Sequence, residues 1–65
     1  MFAQKIRELR LSRNLPEAAL DEIFGLMRGT VANWEHGYDY PEEELIDDIA
    51  VYFRISRKEL IGENG

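Results

Sequence analysis

A histidine beside a carboxylate is the pair with the most varied chemistry in this chain, and it occurs once, as Glu35-His36. Metal binding or acid–base catalysis needs more than that pair. There is no second histidine and no cysteine to complete a ligand set, and no serine or cysteine is spaced as a nucleophile with its base. The clustered carboxylates Glu42, Glu43, Glu44, Asp47 and Asp48 lack the alternating ligands and central glycine of a calcium loop. Nothing converges into a reactive constellation, so the sequence implies no enzyme, no cofactor and no metal site. His36 is read instead as a surface cap or a phosphate donor. The chemistry that remains is binding, by polar side chains on a scaffold.

The scaffold is legible around Leu20 to Gly37. Leu20, Ile23 and Phe24 share one helical face, Gly25 suits the left-handed conformation that ends a helix, and Val31 and Trp34 begin a new apolar stripe. Two helices joined by a short turn at residues 25–27 result, the spacing of a helix-turn-helix, with the second helix running from about Arg28 to His36. Phe2, Ile6 and Leu9 place an earlier helix over about Phe2 to Arg13, with Asn14 as its stop. Pro16 and Pro41 read as first-turn prolines of the second and fourth helices, and Gly37 as a C-terminal cap. Ile46, Ile49, Ala50 and Phe53 give the fourth helix its buried face. Its like-charge pairs Glu43/Asp47 and Glu44/Asp48 belong in solvent. Ser56 and Glu59 form a capping box for a short fifth helix carrying Leu60 and Ile61 and closed by Gly62. The whole is one all-α domain over residues 1–62, followed by a frayed tail at 63–65.

At 65 residues the domain is small; a chain of this size buries only about 60% of its extended surface. No cysteine is available to staple it, so apolar helix packing must hold it together. No apolar run approaches the roughly 20 residues of a membrane span, and Met1 to Leu11 carries charges where a signal peptide is apolar, so a cytoplasmic chain without membrane contact is expected. The net charge is -5 and it is segregated. Lys5, Arg7, Arg10 and Arg13 make the start basic, whereas the middle holds Arg28 against Glu17, Asp21, Glu22, Glu35 and Asp39. An acidic middle counts against a nucleic-acid partner, although a local basic patch can outweigh the total.

Taken in order, Lys5-Ile6-Arg7-Glu8-Leu9-Arg10, Phe24-Gly25-Leu26, Thr30-Val31-Ala32-Asn33-Trp34-Glu35-His36-Gly37, Pro41, Ile49-Ala50, Phe53 and Glu59-Leu60 resemble the DNA-binding domain of the Cro/CI phage repressor family. The resemblance spans nearly the whole chain and implies a compact five-helix, lambda-repressor-like helix-turn-helix fold of bacterial or phage origin. It implies a third helix in the major groove of double-stranded DNA, read on a two-fold operator by a homodimer. Carried over residue by residue, Arg28, Gly29 and Asn33 are the groove-facing positions, with Glu17 beside them. Arginine bridges guanine O6 and N7, asparagine bridges adenine N6 and N7, and glutamate accepts from cytosine N4. Arg10, Arg13, His36 and Tyr38 are implied backbone contacts. Arg10 and Glu35 also match an architectural ion pair between the first and third helices. Trp34 matches an inward-facing position, so it is expected in the core rather than as a base-stacking platform. Tyr52, Arg54, Ile55 and Ile61 match the region used for pairing.

Five departures from the family pattern bear on function. Asp21 stands where a small apolar residue is usual, and a carboxylate at a tight helix crossing must turn outward, find a donor or splay the helices; the expectation is that Asp21→Ala raises the melting temperature. Met27 replaces the serine or threonine that caps the third helix, and Gly29 lies inside its first turn. Glu17 replaces a glutamine and repels phosphate. Tyr38-Asp39-Tyr40 replaces a basic loop. Two or three phosphates per subunit are then expected to be neutralised, a salt slope of roughly -2 to -3. The leading reading is a sequence-specific, repressor-like transcriptional regulator. The alternative is a helix-turn-helix scaffold with little DNA binding, acting as a protein-interaction or antirepressor module through its acidic helix, or an engineered sequence on this fold.

Overall fold

Apolar residues recurring at helical spacing fold into five helices among the described residues: α1 (Phe2–Ser12), α2 (Glu17–Ile23), α3 (Thr30–Glu35), α4 (Glu43–Phe53) and α5 (Arg57–Ile61). This computed structural model describes residues 1–62, so the tail expected to fray lies outside the described residues. The all-helical, five-element architecture expected from the sequence is the one observed. α1 packs against α3 and α5, α2 against α3, and α4 against α5.

Each helix sends its apolar stripe to one core. Phe2 and Ile6 meet Leu20, Val31, Trp34, Ile46, Ile49, Ala50, Phe53 and Leu60 there. Fully burying a side chain of this kind contributes about 1.5–3 kcal/mol, which is how a chain without staples holds together. Trp34 is inside as expected, edge-on to Phe2 with ring centroids 5.8 Å apart. Among the described residues no helix is long and apolar enough to cross a membrane.

Several boundaries differ from the sequence reading for local reasons. Pro16 is the N-cap of α2 with an extended backbone (ψ 159°), and Glu42 caps α4, which leaves the buried Pro41 one residue further out. Both prolines therefore lead the chain into a helix from extended backbone instead of occupying its first turn. Ser56 Oγ accepts from the Glu59 N–H at 3.0 Å, but the Glu59 carboxylate turns to Lys5 Nζ at 3.6 Å, so half of the capping box forms. The carboxylates of α4 face solvent, and the like-charge pair Glu43/Asp47 is bridged by Arg57 from α5, whose Nη1 donates to Asp47 Oδ1 at 3.0 Å.

Candidate nucleic-acid interface

The largest departure from the sequence reading is at the start of α3, which opens at Thr30 rather than Arg28. Its N-cap is Gly29, with φ 95° in the left-handed region, so a side chain at this position would be strained even though a Cβ would meet nothing within 4 Å. Met27 has no oxygen to cap the helix. Asp21, two residues before the end of α2, supplies it across the crossing: Oδ2 accepts from the Gly29 N–H and Oδ1 from the Val31 N–H, both at 2.9 Å. Only 4% of Asp21 is exposed. The carboxylate is thus neither a defect nor turned outward. It satisfies two of the first amides of α3 and places negative charge at the positive end of the helix. The expectation that Asp21→Ala raises the melting temperature is therefore reversed.

At the other end, α3 is tied to α1. Arg10 Nε donates to Glu35 Oε2 at 2.7 Å and Nη2 to Glu35 Oε1 at 2.9 Å, while Nη1 donates to the Leu15 carbonyl at 2.8 Å. The fork thereby joins α1, α3 and the loop entering α2, with both charged side chains nearly out of solvent. The hydrogen bonding that Arg10 donates to the Glu35 carboxylate raises the guanidinium pKa above its ordinary value, against the opposing pull of burial. With three of its five donors committed internally and its side chain nearly out of solvent, Arg10 organises this face.

Between these two anchors, Val31 and Trp34 are buried, and Arg28 and Asn33 lie exposed. Asn33 is held in the α3 ladder, its N–H donating to the Gly29 carbonyl at 3.0 Å and its carbonyl accepting from the Tyr38 N–H at 2.9 Å. Gly29 owes its type to backbone geometry, and its N–H is aimed at Asp21, so it offers space rather than a donor. Glu17, half-buried at the start of α2, lines a cleft with Arg7, Arg10, Glu35 and His36. His36 stacks on Tyr38, with centroids 5.6 Å apart and planes 22° from parallel, so these two expected backbone candidates form one exposed unit.

Arg13 does not join them. Its guanidinium lies 5.0 Å from the Tyr52 ring centroid and 4.9 Å from that of Phe53, engaged by cation–π contact with the end of α4. Arg13 is the C-cap, one residue past the end of α1, and from there its guanidinium meets the aromatic end of α4 rather than the Arg10 cleft. Arg7, which sequence reasoning passed over, takes its place; its signal was the three-residue spacing from Arg10 on α1. Tyr52, Ile55 and Ile61 are half-buried against the core, and Arg54 is exposed. Among the described residues, no group of three or more histidine, cysteine, aspartate or glutamate side chains could hold a metal ion.

Comparison with known proteins bears on this geometry. A family model described as helix-turn-helix matches residues 6–60. The HTH-type transcriptional activator BcrR of Enterococcus faecalis is 32% identical over 60 residues, covering 92% of this chain and 29% of the relative. The antitoxin PezA of Streptococcus pneumoniae is 30% identical over 64 residues, 98% of this chain and 40% of the relative. The cryptic phage CTXphi transcriptional repressor RstR of Vibrio cholerae is 28% identical over 64 residues, 98% of this chain and 58% of the relative. The chain therefore spans only part of the length of each. No solved structure gives a significant match.

Proposed function

The chain belongs to the helix-turn-helix family, and on that premise we propose that it is the sequence-specific DNA-binding module of a transcriptional regulator, with α3 in the major groove. The observation that carries the reading is the mounting of α3. It is capped from α2 by Asp21 and forked to α1 by Arg10 and Glu35, with Arg28 exposed in the turn just before its cap and Asn33 exposed on the helix so held. A helix anchored at both ends, with an exposed arginine in the turn leading into it and an exposed asparagine on it, suits bidentate reading of guanine and adenine. Glu17 is the candidate acceptor for a cytosine amine at the edge of the same face.

Arg7, His36 and Tyr38 flank that face and are the proposed backbone contacts, with Arg10 acting through Glu35 instead of on DNA. The exposed cations near α3 reduce to Arg7 and Arg28, so about two phosphates are neutralised per copy and the salt slope is about -2. Affinity this low calls for two copies on a two-fold operator, or for further parts of a longer regulator. The relatives, an activator and a repressor among them, do not favour the alternative of a scaffold that works through its acidic helix. They likewise point to a regulator rather than an enzyme, in a bacterial or phage setting.

The test is fluorescence anisotropy on a mixed duplex library at two salt concentrations, with the parent chain and Arg28→Ala. Selective binding that weakens with salt and loses selectivity in Arg28→Ala is expected. If no duplex is bound even at low salt, the reading is wrong.

A further inference from the structure

Beside Arg28, the reading face carries a side chain that packing does not account for. Met27 is 85% exposed, the residue preceding Arg28 in the turn and three before the first residue of α3. Its carbonyl oxygen accepts twice from Thr30, from Oγ1 at 2.6 Å and from the backbone N–H at 3.1 Å. The one hydroxyl hydrogen of Thr30 is thereby spent within the turn, so the side chain has no donor left to offer and presents its methyl and an acceptor oxygen. The Gly29 and Val31 amides are occupied by Asp21. Apart from the arginine, the leading edge of α3 therefore has no free donor among these groups and is largely apolar: a flexible thioether chain, a methyl, and open space where Gly29 has no side chain.

Only one feature of an unmodified major groove is apolar, the C5 methyl of thymine. We propose that Met27, with the Thr30 methyl beside it, reads a thymine adjacent to the base contacted by Arg28, by burying that methyl. The inference rests on the DNA-binding reading and names the class of step recognised, a thymine next to the Arg28 base. Methionine suits the task because its unbranched, polarisable chain adapts to a small apolar target.

The experiment uses the duplex selected from the library. Each thymine is replaced singly by deoxyuridine, which removes the methyl and leaves every hydrogen-bonding group in place. One position is expected to lose affinity about fourfold, the effect of burying a single methyl-sized group. Met27→Ala is expected to lose about as much on the parent duplex and to become indifferent to deoxyuridine at that position. At the same position, 5-methylcytosine is expected to be bound more tightly than cytosine, because the methyl and not the neighbouring polar atom is read. Unchanged melting of Met27→Ala separates readout from folding. Selective, Arg28-dependent binding that no deoxyuridine substitution weakens overturns the thymine assignment alone, as does a Met27→Ala chain that still senses the methyl. Absence of selective binding to any duplex removes the underlying reading and this inference with it.

Discussion

Replacing Asp21 by alanine tests how α3 is held. The carboxylate accepts from Gly29 and Val31 at 2.9 Å each, on a residue almost wholly removed from water. Hydrogen bonds to a charged group contribute about 1.5–3 kcal/mol apiece, and a donor left buried without a partner loses its hydration as well. The two amides are not equivalent. Val31 is buried, so its N–H is stranded; Gly29 is half-exposed, so water replaces much of what it loses. Removing the carboxylate also relieves its own desolvation, which offsets part of the loss. The net effect is a loss of about 2–3 kcal/mol, a large share of the roughly 3–10 kcal/mol expected for a chain this size. At about 4–8 °C per kcal/mol, the melting temperature falls by about 10–20 °C. Thermal unfolding by circular dichroism reads the total, and amide hydrogen exchange assigns it, since protection is lost first at Val31 and Gly29. Asp21→Asn, which keeps one acceptor oxygen, lands between the two. A melting temperature in Asp21→Ala equal to or above the parent's, with Val31 protection intact, would refute the capping argument.

The Arg10–Glu35 fork behaves as a pair. Arg10→Ala or Glu35→Ala leaves one nearly buried charge alone and costs about 3–5 kcal/mol, whereas Arg10→Met with Glu35→Leu is close to neutral in urea unfolding; additive losses in the double variant would count against the fork. Arg54 caps α4 with φ 59°, a left-handed conformation that L side chains adopt under strain. Arg54→Gly removes that strain but makes the unfolded chain freer, for a net gain of about 0.5 kcal/mol and a rise of about 2–4 °C in melting temperature. A fall on that substitution would mean the arginine side chain contributes more than its backbone costs. Gly29→Ala meets no atom and yet must place a Cβ at φ 95°, so it destabilises by about 1–2 kcal/mol; an unchanged melt would show that the N-cap relaxes freely.

Which parts of this were legible in the sequence follows from the range of the interactions involved. Ile46, Ile49, Ala50 and Phe53 announce α4 because helical periodicity is a local property, and Ser56 announces α5 because a cap acts within one turn. The prolines were harder. Pro16 and Pro41 signal that a helix is about to begin, but not whether the proline is inside it, a choice settled by how the loop docks on the core. The Arg10–Glu35 pair spans 25 positions and was legible only through the family resemblance. Arg13 sits just past the end of α1, and its contact with the aromatic end of α4 joins residues about forty positions apart, which helical spacing does not reveal. Asp21 was the deepest failure of local reasoning. Its chemical type was alarming at a helix crossing, and only the packing of α2 on α3 shows that its oxygens reach amides eight and ten positions away.

Asp21, Met27 and Gly29 look like three separate defects along the sequence, and in the fold they form one arrangement. Once a carboxylate from α2 caps α3, the turn no longer needs a hydroxyl at Met27, and that position is released to carry an apolar side chain on the surface. The cap in turn requires the Gly29 N–H to face Asp21, which the left-handed backbone of a glycine permits. The same arrangement alters the electrostatics of the reading face. A helix N-terminus is ordinarily attractive to phosphate, but here the positive end of α3 is already answered by an internal anion. On the proposed DNA-binding role, attraction to DNA would be left to Arg7 and Arg28, opposed by Glu17, while discrimination would fall to Arg28, Asn33 and Met27. A module of that kind is expected to bind weakly as a single copy and to be selective in what it prefers. Such a balance favours a regulator whose affinity is set by pairing two copies, because doubling a weak, discriminating contact multiplies selectivity without adding a general hold on the backbone.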